Sequence, residues 1–343
     1  MSTKLVLTAA CCFLLLLLLN GAHHVEARRH RERRKDYMLL VFGDSFADAG
    51  NRLMRSSAKS RASRGWYYPY GSSDSAHRNR ATGRLSDGLV QSDFLARMLG
   101  NNDESPPPYS PGEDGPDGVN FALPFSGVLN GPQEETALGT QIDQLTRMVN
   151  RRDVDLDDDY SVALVSVSNG HDYSHVSDTT SSEQMNAYIR DVTDGIVDAV
   201  KRLQDLGVSK VLVNSLPPLG CTPWRSRLSS YARCDSSGNN IANTHNMLLA
   251  QKLSGFEDVL LLDLYSTFDS VARSKSGSTP CCDTSDPNGY CGQEDGSGRA
   301  QYSLCANPDS YFYWDYMHPT QAGWEAVMDQ LRGPIQDFLA ISS

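Results

Sequence analysis

Positive charge is in short supply in this sequence. Lysine and arginine total 31 against 42 aspartates and glutamates, for a net charge of −11. The N-terminus hides part of that imbalance, because Met1–Ala27 nets zero and the run Arg28–Lys35 (RRHRERRK) nets +5, leaving −16 on the remainder. An acidic body disfavours nucleic acid as a partner, since affinity there rests on cations at phosphates. No Asn-x-Ser/Thr sequon occurs, so N-glycosylation is not expected. The serine elbow G-x-S-x-G is missing, as is the zinc-binding H-E-x-x-H. Long apolar runs are scarce too. Leu5–Leu19 spans 15 residues, short of the ~20 that cross a bilayer. With 39% hydrophobic and 21% charged residues, the composition excludes a coiled coil, a collagen or a multispan membrane protein.

That apolar run reads as a secretory signal over residues 1–27. Lys4 precedes it, and Val25-Glu26-Ala27 places small residues at the cleavage positions. Its removal leaves 316 residues, enough for one large core. The basic run on its C-terminal side disfavours a membrane anchor, so no stable membrane insertion is expected. Residues 28–36 read as a basic, disordered arm, since a block of like charge repels itself, with a polyanion or lipid-headgroup tether as the alternative. Beyond the signal the chain keeps Cys221, Cys234, Cys281, Cys282, Cys291 and Cys305. Proximity suggests a Cys221–Cys234 bridge and leaves the other four open. Adjacent Cys281-Cys282 lack zinc-ligand spacing, and an exported protein favours disulfides. The expected location is secreted, with the Golgi lumen as the alternative.

Along residues 37–343, short buried runs alternate with amphipathic segments, and no repeat or linker divides them into separate domains. Tyr37–Phe42, Val119–Ala122, Val162–Val167, Lys210–Leu216 and Asp258–Tyr265 have the apolar character of strands. Helical spacing marks Asp87–Leu99, Leu138–Val149, Glu183–Leu206, Ile241–Leu253 and Pro319–Leu339, the last with an expected interruption at Gly333-Pro334. Such alternation predicts an α/β fold with a parallel sheet covered on both faces. Functional groups then gather at the carboxyl ends of strands.

Serine-based acyl chemistry needs a nucleophile, an imidazole oriented by a carboxylate, and donors for the oxyanion. VFGDSFADAGN at 41–51 offers Ser45 just past a buried strand and ahead of an expected helix start; a serine there is equally a helix cap. Far away, Asp315-Tyr316-Met317-His318-Pro319 sets a carboxylate three residues before a histidine. An isolated D-x-x-H is usually a surface histidine and a cap, but the two motifs together point to a hydrolase.

GDSFADAGN, GRLSDG at 83–88, GVNFA at 118–122, LPPLGCTP at 216–223 and CANPDSYFYWDYMHPT at 305–320 resemble, in order, the plant GDSL esterase/lipase family of SGNH hydrolases. The resemblance runs from about residue 37 to 340. It implies a three-layer α/β/α flavodoxin-like sandwich, Ser45 as nucleophile, His318 as general base and Asp315 as its partner, with no cofactor and no metal. In such a triad an amide at 315 is expected to hold the wrong imidazole tautomer and leave less activity than a simple charge loss would. Two blocks depart from the family. Where N-F-A-x-G-G is usual, Phe125 takes the place of the oxyanion glycine, and its N–H can serve only if the backbone does not need positive φ. Where G-x-N-D is usual, His171 stands at the asparagine, with Asn169 as a competitor.

The resulting expectation is a monomeric, secreted carboxylic ester hydrolase acting on lipid or cell-wall O-acetyl esters, for which an acidic protein without an obvious lid slightly favours polysaccharide. The alternative is a weak or silent ligand-binding member with a disabled oxyanion hole. Other residues take bland readings. His171 and His175 lack a third ligand for a metal, and His245 is a packed or surface histidine. Trp66, Tyr67, Tyr68 and Tyr70 form either a sugar platform or a self-packed loop, and Arg84 and Asp87 hold the 83–88 loop to the sheet.

Overall fold

The structure, a computed structural model, describes residues 37–52, 61–100, 103–115, 117–129, 137–156, 160–168, 171–174, 180–286 and 288–341. The signal segment, the basic arm, Asn169 and His175 lie outside the described residues. Five strands build one sheet: β1 (Tyr37–Gly43), β2 (Gly118–Asn120), β3 (Tyr160–Ser166), β4 (Lys210–Asn214) and β5 (Val259–Leu262). They lie in the order β2-β1-β3-β4-β5, every neighbouring pair parallel. This is the flavodoxin-like order, whose switch point falls between β1 and β3.

Alternation within β1 shows why the sheet is buried on both sides. Met38, Leu40 and Phe42 enter one core, with α2 (Leu138–Arg151), α3 (Ser182–Asp205) and α4 (Ser236–Leu253) packed over it. Tyr37, Leu39 and Val41 enter the other, beneath α1 (Gln91–Leu99), α5 (Leu264–Ser274) and α6 (Gln321–Leu339). The result is the α/β/α sandwich.

Two local expectations are corrected. Gly43-Asp44-Ser45 does not open a helix. The chain makes one turn, in which Ala47 and Asp48 N–H both donate to Asp44 O, and Asp48 Oδ1 then accepts from Gly50 and Asn51 N–H, ending it. Nor is α6 interrupted at Gly333-Pro334. Both residues face solvent, where water can take the carbonyl that proline leaves unpaired, while Leu331, Ile335 and Leu339 keep the helix on the core.

The bridge Cys221–Cys234 forms as proximity suggested, and the other pairs are Cys281–Cys305 and Cys282–Cys291. Three disulfides mark a protein that matures in an oxidising compartment. Among the described residues no helix is long and apolar enough to cross a membrane.

Candidate active site

Ser45 sits at the carboxyl end of β1, on the switch-point side. Gly43 makes that possible. Its φ is +126°, and a Cβ there would lie 2.0 Å from Ser166 O, so only glycine lets the chain turn this close to β3. Asp44 N–H donates to Ser166 O at 2.8 Å. The Asp44 carboxylate accepts from Phe46 N–H (2.9 Å) and Ser168 N–H (2.6 Å), which fastens the serine turn to the segment after β3.

The second half comes from the turn before α6. His318 Nε2 lies 2.8 Å from Ser45 Oγ, and its Nδ1 lies 2.9 Å from both Asp315 oxygens. An acceptor on Nδ1 holds the ring proton there and leaves Nε2 to accept from the serine hydroxyl. Asp315 Oδ1 also takes the N–H groups of Met317 (2.9 Å) and His318 (2.8 Å). Burial raises the affinity of Asp315 for a proton, but the facing imidazole and these donors outweigh it and hold the carboxyl below its usual range. The three side chains are almost wholly buried, at 2% exposure for Ser45, 0% for Asp315 and 4% for His318. Phe46 and Tyr316 meet the imidazole ring edge-on at 6.1 and 6.0 Å. The serine turn therefore faces a pre-set imidazole, not a cap.

The GDSL-like lipase/acylhydrolase family profile matches residues 39–331. The chain belongs to this family. Among its relatives in Arabidopsis thaliana, GDSL esterase/lipase At5g03610 is 36% identical over 318 residues, covering 86% of this chain and 85% of that protein. GDSL esterase/lipase At3g09930 is 32% identical over 318 residues (85% and 86%), and At5g03600 30% identical over 330 (89% and 96%). The protein is accordingly a hydrolase of ester bonds.

The two blocks that depart from the GDSL pattern are tied to the serine turn. Gln141 brackets Gly43, accepting from its N–H at 2.7 Å and donating to its O at 2.9 Å, and donates onward to Ser126 Oγ at 3.0 Å. Asp172 accepts from Val128 and Leu129 N–H at 3.0 Å. Phe125, between these anchors, has φ +65°, the left-handed conformation that usually favours glycine, here adopted by a phenylalanine. Left-handed backbone on a residue with a Cβ costs ~1–2 kcal/mol. The Phe125 ring meets that of His171 edge-on at 6.0 Å.

Spacing could not find Tyr70. Its hydroxyl donates to Asp315 Oδ2 at 2.7 Å across 245 residues of sequence, and burial together with the carboxylate keeps that phenol protonated. The aromatic loop therefore divides: Tyr70 is buried against Trp314, whereas Tyr68 is 64% exposed. Arg84 and Asp87 bind helices, not the sheet as expected, because the loop lies beside α1 and α6. Arg84 pairs with Asp93 on α1, and Asp87 Oδ1 accepts Gln321 N–H at 2.7 Å. His245 is buried and meets Tyr173 OH through Nδ1 at 2.7 Å, and burial drives its proton affinity down to about 3. Among the described residues no cluster of three or more His, Cys, Asp or Glu could hold a metal ion.

Proposed function

We propose that the protein is a secreted serine carboxylic ester hydrolase, cleaving acyl or acetyl esters through a covalent acyl-enzyme on Ser45. The observation that carries this reading is the continuous Ser45–His318–Asp315 hydrogen-bond chain at 2.8 and 2.9 Å. Ser45 Oγ attacks the ester carbonyl carbon as its proton passes to His318 Nε2. The tetrahedral intermediate then collapses, the C–O bond to the alcohol breaks, and the imidazolium returns the proton to the departing alcohol oxygen. Water repeats the sequence on the acyl-enzyme. Asp315 remains ionised throughout and stabilises the imidazolium. The oxyanion is met by Phe125 N–H and the His171 ring, a reading supported by the Gln141 and Asp172 hydrogen bonds to residues next to them in the chain. The disulfides agree with export, and the Golgi lumen is the other oxidising location.

Fluorophosphonate labelling followed by peptide mapping tests the reading, together with a panel of p-nitrophenyl acetate, longer acyl esters and acetylated xylan. Label on Ser45 with turnover of at least one ester is expected. Label elsewhere, or none with no turnover, overturns it.

Two substitutions probe the parts. His171→Ala should lower kcat by ~10²–10³ with little change in KM, because an oxyanion donor acts on the charged transition state, and His171→Asn should retain activity. An indifferent His171→Ala removes that residue from the hole. Tyr70→Phe deletes one donor to Asp315. The carboxylate that orients His318 is then held at one point fewer, so kcat should fall by up to about tenfold, the value of one charge-assisted hydrogen bond. An unchanged kcat, with KM also unchanged, would show that Tyr70 only packs.

A further inference from the structure

Beside the triad, beyond the carboxyl end of β4, lies a cavity of about 250 Å³. One of its walls is Tyr316, whose ring packs on His318 at 6.0 Å. Tyr231, Tyr290, Leu228, Arg227 and Asp283 are among the others, and the disulfide-bonded Cys282 and Cys291 also line it. Resting on the esterase reading above, we propose that this cavity is the subsite for the alcohol half of the substrate, and that the alcohol it takes is a single hydroxylated sugar ring.

Three features support that occupant. Position comes first: the departing oxygen must reach His318 Nε2 to collect its proton, so the space bounded by the tyrosine against that imidazole is where the alcohol half extends. Size is the second. At about 250 Å³ the cavity falls below the ~300–1,000 Å³ of sites that enclose drug-sized ligands, so one ring fits and a long acyl chain does not. Chemistry is the third. Three tyrosines line it, and aromatic rings suit the C–H side of a sugar, while Asp283 supplies an acceptor for its hydroxyls. Asp283 Oδ1 is occupied by Tyr231 OH (2.7 Å) and Thr284 N–H (2.8 Å), but Oδ2 has no partner among the described residues.

The frame is also rigid. Trp224 N–H donates to Tyr316 O at 2.8 Å, their rings meet at 5.7 Å, and Arg227 lies over the Trp224 ring at 3.9 Å. Tyr290 is braced from behind by the buried guanidinium of Arg64, 5.1 Å from its ring centre. A subsite that arrives pre-formed loses little entropy when it binds.

The test compares kcat/KM on an O-acetylated xylo-oligosaccharide, on vinyl acetate and on vinyl laurate, for the wild type, Asp283→Asn and Ser285→Trp. Ser285 lies on the rim, and the tryptophan is meant to fill the cavity. For Ser285→Trp the ratio of sugar-ester to vinyl-acetate activity should fall at least tenfold, chiefly through KM. For Asp283→Asn it should fall by a smaller factor. Far-ultraviolet circular dichroism and the melting temperature identify a variant that does not fold, in which case the other variant decides. Unchanged ratios overturn the proposal, as does a selective loss on vinyl laurate, which would make the cavity an acyl pocket. Failure of the esterase reading looks different: the wild type then turns over none of the three esters and Ser45 takes no fluorophosphonate.

Discussion

Ser45→Ala and His318→Ala each lower kcat by at least ~10⁴-fold and leave the protein folded. Both side chains are buried at the carboxyl end of the sheet, and each turn has anchors besides its reacting group. The serine turn is held by Asp44 and Gly43, and the histidine turn by Asp315, which collects the N–H groups of Met317 and His318. Removing one reacting group disables the pair, so the double variant should be no slower than His318→Ala alone. Asp315→Asn is the finer probe. Such a triad implies the wrong imidazole tautomer, but the geometry alters that expectation. Oδ1 already accepts two backbone N–H groups, so an amide must keep its oxygen there and turn its NH₂ toward Tyr70, whose hydroxyl can reverse to accept. The oxygen that remains still lies 2.9 Å from Nδ1 and preserves the tautomer. The variant loses the charge that stabilises the imidazolium, and its kcat should fall by ~10²–10⁴, short of the loss in His318→Ala. Burst and steady-state kinetics on p-nitrophenyl acetate measure all three. Full activity in Ser45→Ala would remove the serine from the chemistry.

The parts of this site legible in the sequence are those coded within a few residues. A buried strand running into Gly-Asp-Ser and an Asp three residues before a His each specify local geometry, and in the structure Ser45, His318 and Asp315 lie within hydrogen-bonding reach of one another. The five strands were legible for the same reason, because residues buried on both faces leave unbroken apolar runs. Contacts between distant segments left no such trace. Nothing near Tyr70 announces that its hydroxyl reaches Asp315, and the pairing of Cys281, Cys282, Cys291 and Cys305 is one of several that spacing permits. The turn after Ser45 was missed because capping residues favour a helix start, while the Asp48 side chain satisfies the backbone in another way. Phe125 shows a different limit. The motif located the residue, but only the backbone reveals that a phenylalanine takes the left-handed conformation there. The condition set on its N–H assumed that a phenylalanine would refuse that conformation.

Arg84→Met should be the most destabilising of these substitutions, at ~3–5 kcal/mol, because it leaves a buried carboxylate without its cation. Arg84 grips Asp93 with two bonds, Nε to Oδ2 at 2.9 Å and Nη2 to Oδ1 at 2.6 Å. Asp93 is fully buried and also takes the N–H groups of Val90 and Ser105. Burial alone would push the Asp93 carboxyl up; the guanidinium and these donors hold it below the usual range instead. A carboxyl depressed in the folded state contributes stability that is present above its unfolded value of ~3.9 and is lost as pH falls through the folded value. In Arg84→Met burial acts unopposed, so the carboxyl takes up a proton readily on acidification and the penalty shrinks. The gap between wild type and variant in denaturant titrations should thus be widest near pH 7 and narrow toward pH 4. Arg84→Lys, with one point of charge in place of a fork, should fall between them. The damage also reaches the chemistry, because the same segment clips the histidine turn: Ser86 Oγ donates to Pro319 O at 3.0 Å, and Asp87 accepts Gln321 N–H at 2.7 Å. A loosened clip lets His318 drift from Ser45, so kcat should drop in Arg84→Met even at temperatures where the variant stays folded. Equal midpoints for variant and wild type at pH 7 would mean that Asp93 is neutral in the fold and that the pair is not what fastens α1 to this segment.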